Sequence, residues 1–163
     1  MKTIENIDFT PGLRNTLPET YRLLESSRIV VHPSVRKITL HGSRGPAGGY
    51  RDDSDIDLCF ITDIWCIGTE DETTGLLFKE ILQTSLDNSV CPVELDLAAV
   101  FDRKSCGLAC FDVCDYSQLK CSKAETGCIG IYKIQKGFNG IVPPIVQVKN
   151  MYPLLTVWER PST

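Results

Sequence analysis

The sequence predicts an α/β (α+β) fold, a small mixed β-sheet with helices packed on one face. Three observations lead there. A strand pattern, a helix pattern and a second strand pattern follow one another between Asp55 and Val100, the order expected of an α/β layer. The strand from Asp55 to Thr62 alternates sharply, with Ile56, Leu58 and Phe60 on one face and Asp55 and Asp57 on the other. The length of 163 residues, 42% of them hydrophobic, suits a single domain with a real core.

The elements follow in order. Leu17, Tyr21 and Leu24 fall at the spacing of one helical stripe, which predicts a helix over Leu17 to Val31, with Pro18 tolerated in its first turn and Pro33 stopping it. Val35 to His41 predicts a strand, Ile38 and Leu40 pointing one way and Lys37 and Thr39 the other. The stretch Gly42-Ser43-Arg44-Gly45-Pro46-Ala47-Gly48-Gly49-Tyr50 excludes a regular element. Glu72 to Leu86 predicts a helix through Leu76, Leu77, Ile81 and Leu82. Pro92 opens a third strand in which Val93, Leu95 and Leu97 face the core while Glu94, Asp96 and Ala98 face away.

Beyond Phe101 the patterns weaken. A helix is expected over Cys106 to Lys123 and a strand over Ile129 to Phe138. The turn Gly137-Phe138-Asn139-Gly140 would lead a hairpin into Ile141-Val142, and Pro143-Pro144 ends regular structure. The tail through Met151-Tyr152-Pro153 and Trp158 is apolar enough to dock. The expected organisation is one domain over 1–163, with a core at about 17–100 and an extension at about 101–163.

Composition removes several function classes. The net charge is −4 without a Lys/Arg run, so a long nucleic-acid partner is disfavoured, whereas a metal-bound nucleoside triphosphate is compatible. No signal-peptide pattern and no membrane-length apolar run is seen, so the expectation is a cytoplasmic protein without membrane contact. Eight cysteines invite a metal reading. Yet Cys106, Cys110 and Cys114 are spaced by four, Cys121 and Cys128 follow at sevens, and close zinc pairs are missing. Cysteines used as small apolar residues on a helix explain that spacing more simply.

The chemistry sits in two segments. Successive strand residues rise by about 3.3 Å, so Asp55 and Asp57 lie about 6–7 Å apart on one face, and a neighbouring strand can bring Asp96 beside them. Such carboxylates repel until a divalent cation such as Mg²⁺ or Mn²⁺, which prefers oxygen ligands, reverses the sign. The turn Gly42-Ser43 lets backbone N–H groups and a hydroxyl approach phosphate, with Arg44 and Arg51 adding charge and His41 beside the loop. Singly each signal is weak. Together they form a metal-and-phosphate site.

Leu40-His41-Gly42-Ser43 through Ser54-Asp55-Ile56-Asp57-Leu58 resembles the signature of the nucleotidyltransferase superfamily, which includes DNA polymerase beta. It is most similar to the minimal nucleotidyltransferases and the aminoglycoside nucleotidyltransferases. The resemblance covers about Leu17 to Val100 and implies a nucleotidyltransferase-like fold. It also implies Asp55, Asp57 and Asp96 as catalytic metal ligands, with Glu94 as the rival for the third position, and Gly42, Ser43 and Arg44 as nucleotide contacts. The implied reaction moves a nucleoside monophosphate, with AMP favoured, from a nucleoside triphosphate to a hydroxyl of a protein or small molecule and releases pyrophosphate. The loop Pro46 to Asp53 departs from the form usual in the closest branches, so it does not name the acceptor. The implied partners are a small helical protein of the HEPN type or a second copy. An antitoxin-like binding module, a Cys-rich metal domain and an inactive relative of the fold are the alternatives.

Overall fold

Proline sets both N-terminal helices. In the computed structural model, which describes residues 7–65, 72–103, 129–135, 138–142, 151 and 153–161, α1 (Pro11–Thr16) and α2 (Pro18–Ser26) each begin at a proline whose missing N–H costs nothing in a first turn. The helix α1 was not expected from the sequence. The helix α2 ends earlier than the expected Val31, because Arg28 takes a left-handed conformation (φ 56°) and breaks the turn. The released Ile29-Val30-Val31 is buried as extended chain instead. It is tied down by the Ser85 hydroxyl, which donates to the Val30 carbonyl at 2.6 Å.

Six strands follow: β1 (Val35–His41), β2 (Ile56–Trp65), β3 (Leu95–Asp102), β4 (Ile129–Gln135), β5 (Phe138–Ile141) and β6 (Leu155–Glu159). They form one sheet in the order β5-β4-β3-β2-β1-β6. Only β2 and β3 run parallel, joined through α3 (Glu72–Asn88), as a parallel pair needs a long crossover. All other neighbours are antiparallel. The molecule is therefore an α+β protein, with a mixed sheet and three helices among the described residues. Among the described residues no helix is long and apolar enough to cross a membrane.

The expected extension supplies β4 and β5 at one edge and β6 at the other, so half of the described strands come from beyond residue 128. Gln135 pairs with Phe138, so the hairpin reverses earlier than expected and Phe138 opens β5 rather than closing β4. The docked tail is the unexpected β6. Arg160 clamps it by donating to the Val35 carbonyl at 3.0 Å and the His32 carbonyl at 3.2 Å. The helix expected over Cys106 to Lys123, its cysteines, Cys128 and Pro143-Pro144 lie outside the described residues.

One hydrophobic cluster joins Leu13, Leu24, Phe78, Ile81 and Leu82 of the helices to Ile38, Leu40, Ile56, Leu58, Phe60, Leu97 and Phe101 of the strands. Phe78 stacks on Phe101 at 4.6 Å between ring centres. Because side chains alternate along a strand, burying Ile56, Leu58 and Phe60 on the helix face turns Asp57, Cys59 and Ile61 to the opposite face. The core thereby decides where the carboxylates point.

Candidate active site

The register of the parallel pair sets Asp57 of β2 directly beside Asp96 of β3, with His41 of β1 on the other flank of Asp57. Two carboxyl groups on adjacent strands are within reach of each other, and here they share a hydrogen bond. Burial pushes the Asp57 carboxyl up to about 7, and the hydrogen bond and negative charge of Asp96 add to the rise. Asp55 adds to it as well, while the Lys133 ammonium opposes it. Glu94, the rival of Asp96, is exposed, and its carbonyl accepts the Ile56 N–H at 3.0 Å. It is Asp96 that stands beside Asp57.

Lys133 was not singled out in the sequence. Its Nζ lies 3.1 Å from Asp96 Oδ1 and 3.2 Å from Oδ2. It reaches them from β4, opposite Ala98. Alternation in Ile131-Tyr132-Lys133-Ile134 puts Lys133 on one face of its strand, but only the pairing of β4 with β3 shows that this is the carboxylate face.

Gly42 joins the turn to the carboxylates. It has φ 71°, and a Cβ there would fall 2.0 Å from Asp57 Oδ2, so only glycine allows this approach. The chain continues through two successive turns, Gly45 N–H to the Gly42 carbonyl at 3.0 Å and Gly48 N–H to the Gly45 carbonyl at 3.1 Å, rather than into a regular helix. Ser43 sits half-buried in the first of them. A cavity of about 340 Å³ opens here, walled by His41, Gly42, Ala47, Asp57, Cys59, Asp96, Lys133, Met151 and Pro153. Ser43, Arg44 and Asp55 lie outside its described walls.

Arg44, expected as a nucleotide contact, is engaged by its own chain. It is 4% exposed. Its Nε donates to the Ser54 carbonyl at 2.7 Å, and its Nη2 to the Arg51 and Asp52 carbonyls, both at 3.1 Å. The guanidinium also stacks over the Tyr50 ring at 4.6 Å. Arg44 therefore organises the loop that delivers Asp55 and β2, and its buried charge is matched by carbonyl dipoles. Arg51 points to solvent beside Asp53.

Both histidines are engaged. His41 Nδ1 donates to the Met151 carbonyl at 2.9 Å, and its Nε2 shares a hydrogen bond of 2.7 Å with the Thr39 hydroxyl. Burial lowers its pKa, against the hydrogen bond to Met151. His32 accepts the Ser34 N–H and meets Glu80 at 3.1 Å, away from the cavity. Burial pushes the Cys59 thiol up to about 12, so it remains protonated.

Asp57 and Asp96 place hard oxygen donors in the cavity wall, of the kind that suits Mg²⁺ or Mn²⁺, beside the protonated Cys59 thiol and the hydrogen-bonded His41 ring. The three expected ligands are not gathered equally. Asp57 and Asp96 are in contact, and Asp55 acts on Asp57 through its charge. Among the described residues no three His, Cys, Asp or Glu side chains converge into a closed metal cluster. Comparison with family models, with characterised proteins and with solved structures finds no match to this chain.

Proposed function

We propose that this chain is a metal-dependent nucleotidyltransferase that moves a nucleoside monophosphate, with AMP favoured, from a nucleoside triphosphate to a hydroxyl group, releasing pyrophosphate. The observation that carries this is the contact of two half-buried carboxyl groups, Asp57 and Asp96, against a glycine turn at the mouth of one cavity. Asp57, Asp55 and Asp96 would hold Mg²⁺ or Mn²⁺. The ion would supply charge neutralisation at the transferring phosphoryl group and acidify the acceptor hydroxyl. The protein's part is positioning, with Gly42 leaving room for the Asp57 carboxyl and the turn amides and the Ser43 hydroxyl available to phosphate oxygens. Arg44 serves by fixing the loop before Asp55.

The acceptor is better sought on a protein than on a small molecule. The described walls enclose about 340 Å³, near the lower limit of ordinary ligand sites. That favours an acceptor presented by another chain, such as a small helical partner or a second copy. Label from α-³²P nucleotides should pass into a protein band of a lysate with wild type and Mg²⁺ or Mn²⁺, and not with Asp57→Ala. Equal results for the two proteins with all four nucleotides would end the proposal.

A further inference from the structure

We infer that Lys133 is a tethered counter-cation that withholds Asp96 from divalent ions in the resting protein, so that an entering ion is first held through Asp57 and Asp55. This deepens the nucleotidyl-transfer proposal and rests on it. The geometry is specific. The Lys133 ammonium meets both oxygens of Asp96, at 3.1 and 3.2 Å, and the two side chains are only 26% and 10% exposed. An exposed pair of this kind would be exchanged freely with water, whereas a pair sheltered on a sheet face persists.

The strand pairing explains how Lys133 gets there. It lies opposite Ala98, and residues on the diagonal of an antiparallel pair are within reach of a long side chain. Ala98 is small and 5% exposed, so the lysine stem can lean across it toward Asp96. The ammonium donates to Asp96 Oδ2 and lies 3.1 Å from Oδ1, so a divalent ion approaching the same oxygens is opposed by a positive charge already seated there. With all three carboxylates ionised, as a bound divalent ion would require, Asp55, Asp57, Asp96 and Lys133 carry two net negative charges, which a single divalent ion balances. A triphosphate changes that balance. Its oxygens offer Lys133 an alternative anion, and the flexible stem lets the ammonium move onto it and release Asp96. The nucleotide would thus complete the carboxylate set for its own reaction.

Mn²⁺ alone, titrated into purified protein and followed by the paramagnetic resonance signal of the free ion, tests this without any turnover. Lys133→Met is expected to bind Mn²⁺ at least about tenfold more tightly than wild type, the size of effect that neighbouring groups have on metal affinity. The charge-balanced double variant Asp96→Asn/Lys133→Met should return to within about threefold of wild type, since the pair it removes contributes no ligand at rest. A Lys133→Met protein that binds no more tightly, or a double variant that binds about tenfold more weakly than wild type, overturns the inference. Should Lys133→Met fail to fold without metal, the double variant decides alone. Wild type that binds Mn²⁺ and transfers label while Lys133→Met is no tighter sinks only this inference. Wild type that neither binds Mn²⁺ nor transfers label sinks the enzyme proposal with it.

Discussion

Gly42 and Asp57 constrain one another, and the site depends on that contact. A methyl group at Gly42 would overlap Asp57 Oδ2 and would also sit on a left-handed backbone. Gly42→Ala should therefore cost about 1–2 kcal/mol from the backbone alone. It should also displace Asp57, so that Mn²⁺ binding and label transfer fall together while the melting temperature drops by several degrees.

The Asp57 carboxyl, raised from 3.8 to about 7, gives the metal-free protein a defined pH response. Between about pH 4 and 7 the folded chain keeps a proton that the unfolded chain has released, so folding stability declines as pH rises through that window and levels off above it. The proton belongs to the Asp57–Asp96 pair rather than to one oxygen. Urea denaturation at pH 5 and pH 8 should show this decline in wild type and a clearly smaller one in Asp57→Asn. An unchanged decline in the variant would contradict the assignment.

These two aspartates were legible in the sequence because strand alternation fixes a face, and their neighbours Ile56, Leu58, Leu95 and Leu97 fix which face is buried. Arg44 was not legible. Beside a glycine turn it reads as an anion contact, and only the return of the chain through Arg51, Asp52 and Ser54 turns its donors inward.

At the scale of elements, the site is set by a strand pair and a loop. The parallel pairing of β2 with β3 makes Asp57 and Asp96 neighbours, and the stacked Phe78 and Phe101 hold α3 over that pair from the other face. Phe78→Ala should cost about 3–5 kcal/mol, read by urea denaturation. Below the transition it should leave Mn²⁺ affinity close to wild type, since the ring lies across the sheet from the cavity. Arg44→Ala makes the opposite test. It removes the donor that ties together the Arg51, Asp52 and Ser54 carbonyls, at about 1–3 kcal/mol if the half-buried Ser54 carbonyl is left without a partner, and should loosen the approach to Asp55. Label transfer should fall with it, and Lys at that position should not restore it, because a single ammonium lacks the planar fork.

The central elements were legible for a local reason. β1, β2 and α3 each carry their own period, bounded by Pro33, Gly42 and the loop before Asp55. β6 was not, because Leu155–Glu159 is short and is a strand only when laid against β1. The end of α2 was missed because nothing in the periodicity marks Arg28 as left-handed.

At the scale of the whole molecule, strands close in sequence build the centre of the sheet, and distant ones build its edges. The mixed class was therefore readable from the chain's first hundred residues, while β4, β5 and β6 depend on long-range pairing. This is also why Lys133 escaped notice, since its relation to Asp96 spans 37 positions. The net charge of −4 suits a protein that meets a nucleotide through cations rather than through a basic surface.

The most direct test of the central claim is label transfer from α-³²P nucleoside triphosphates in a lysate, with wild type and Asp57→Ala compared in the presence of Mg²⁺ or Mn²⁺ and again with a chelator. Incorporation that needs both the cation and Asp57, with pyrophosphate released, is the expected result. Incorporation that is absent from both proteins, or equal in both, would contradict nucleotidyl transfer at this site.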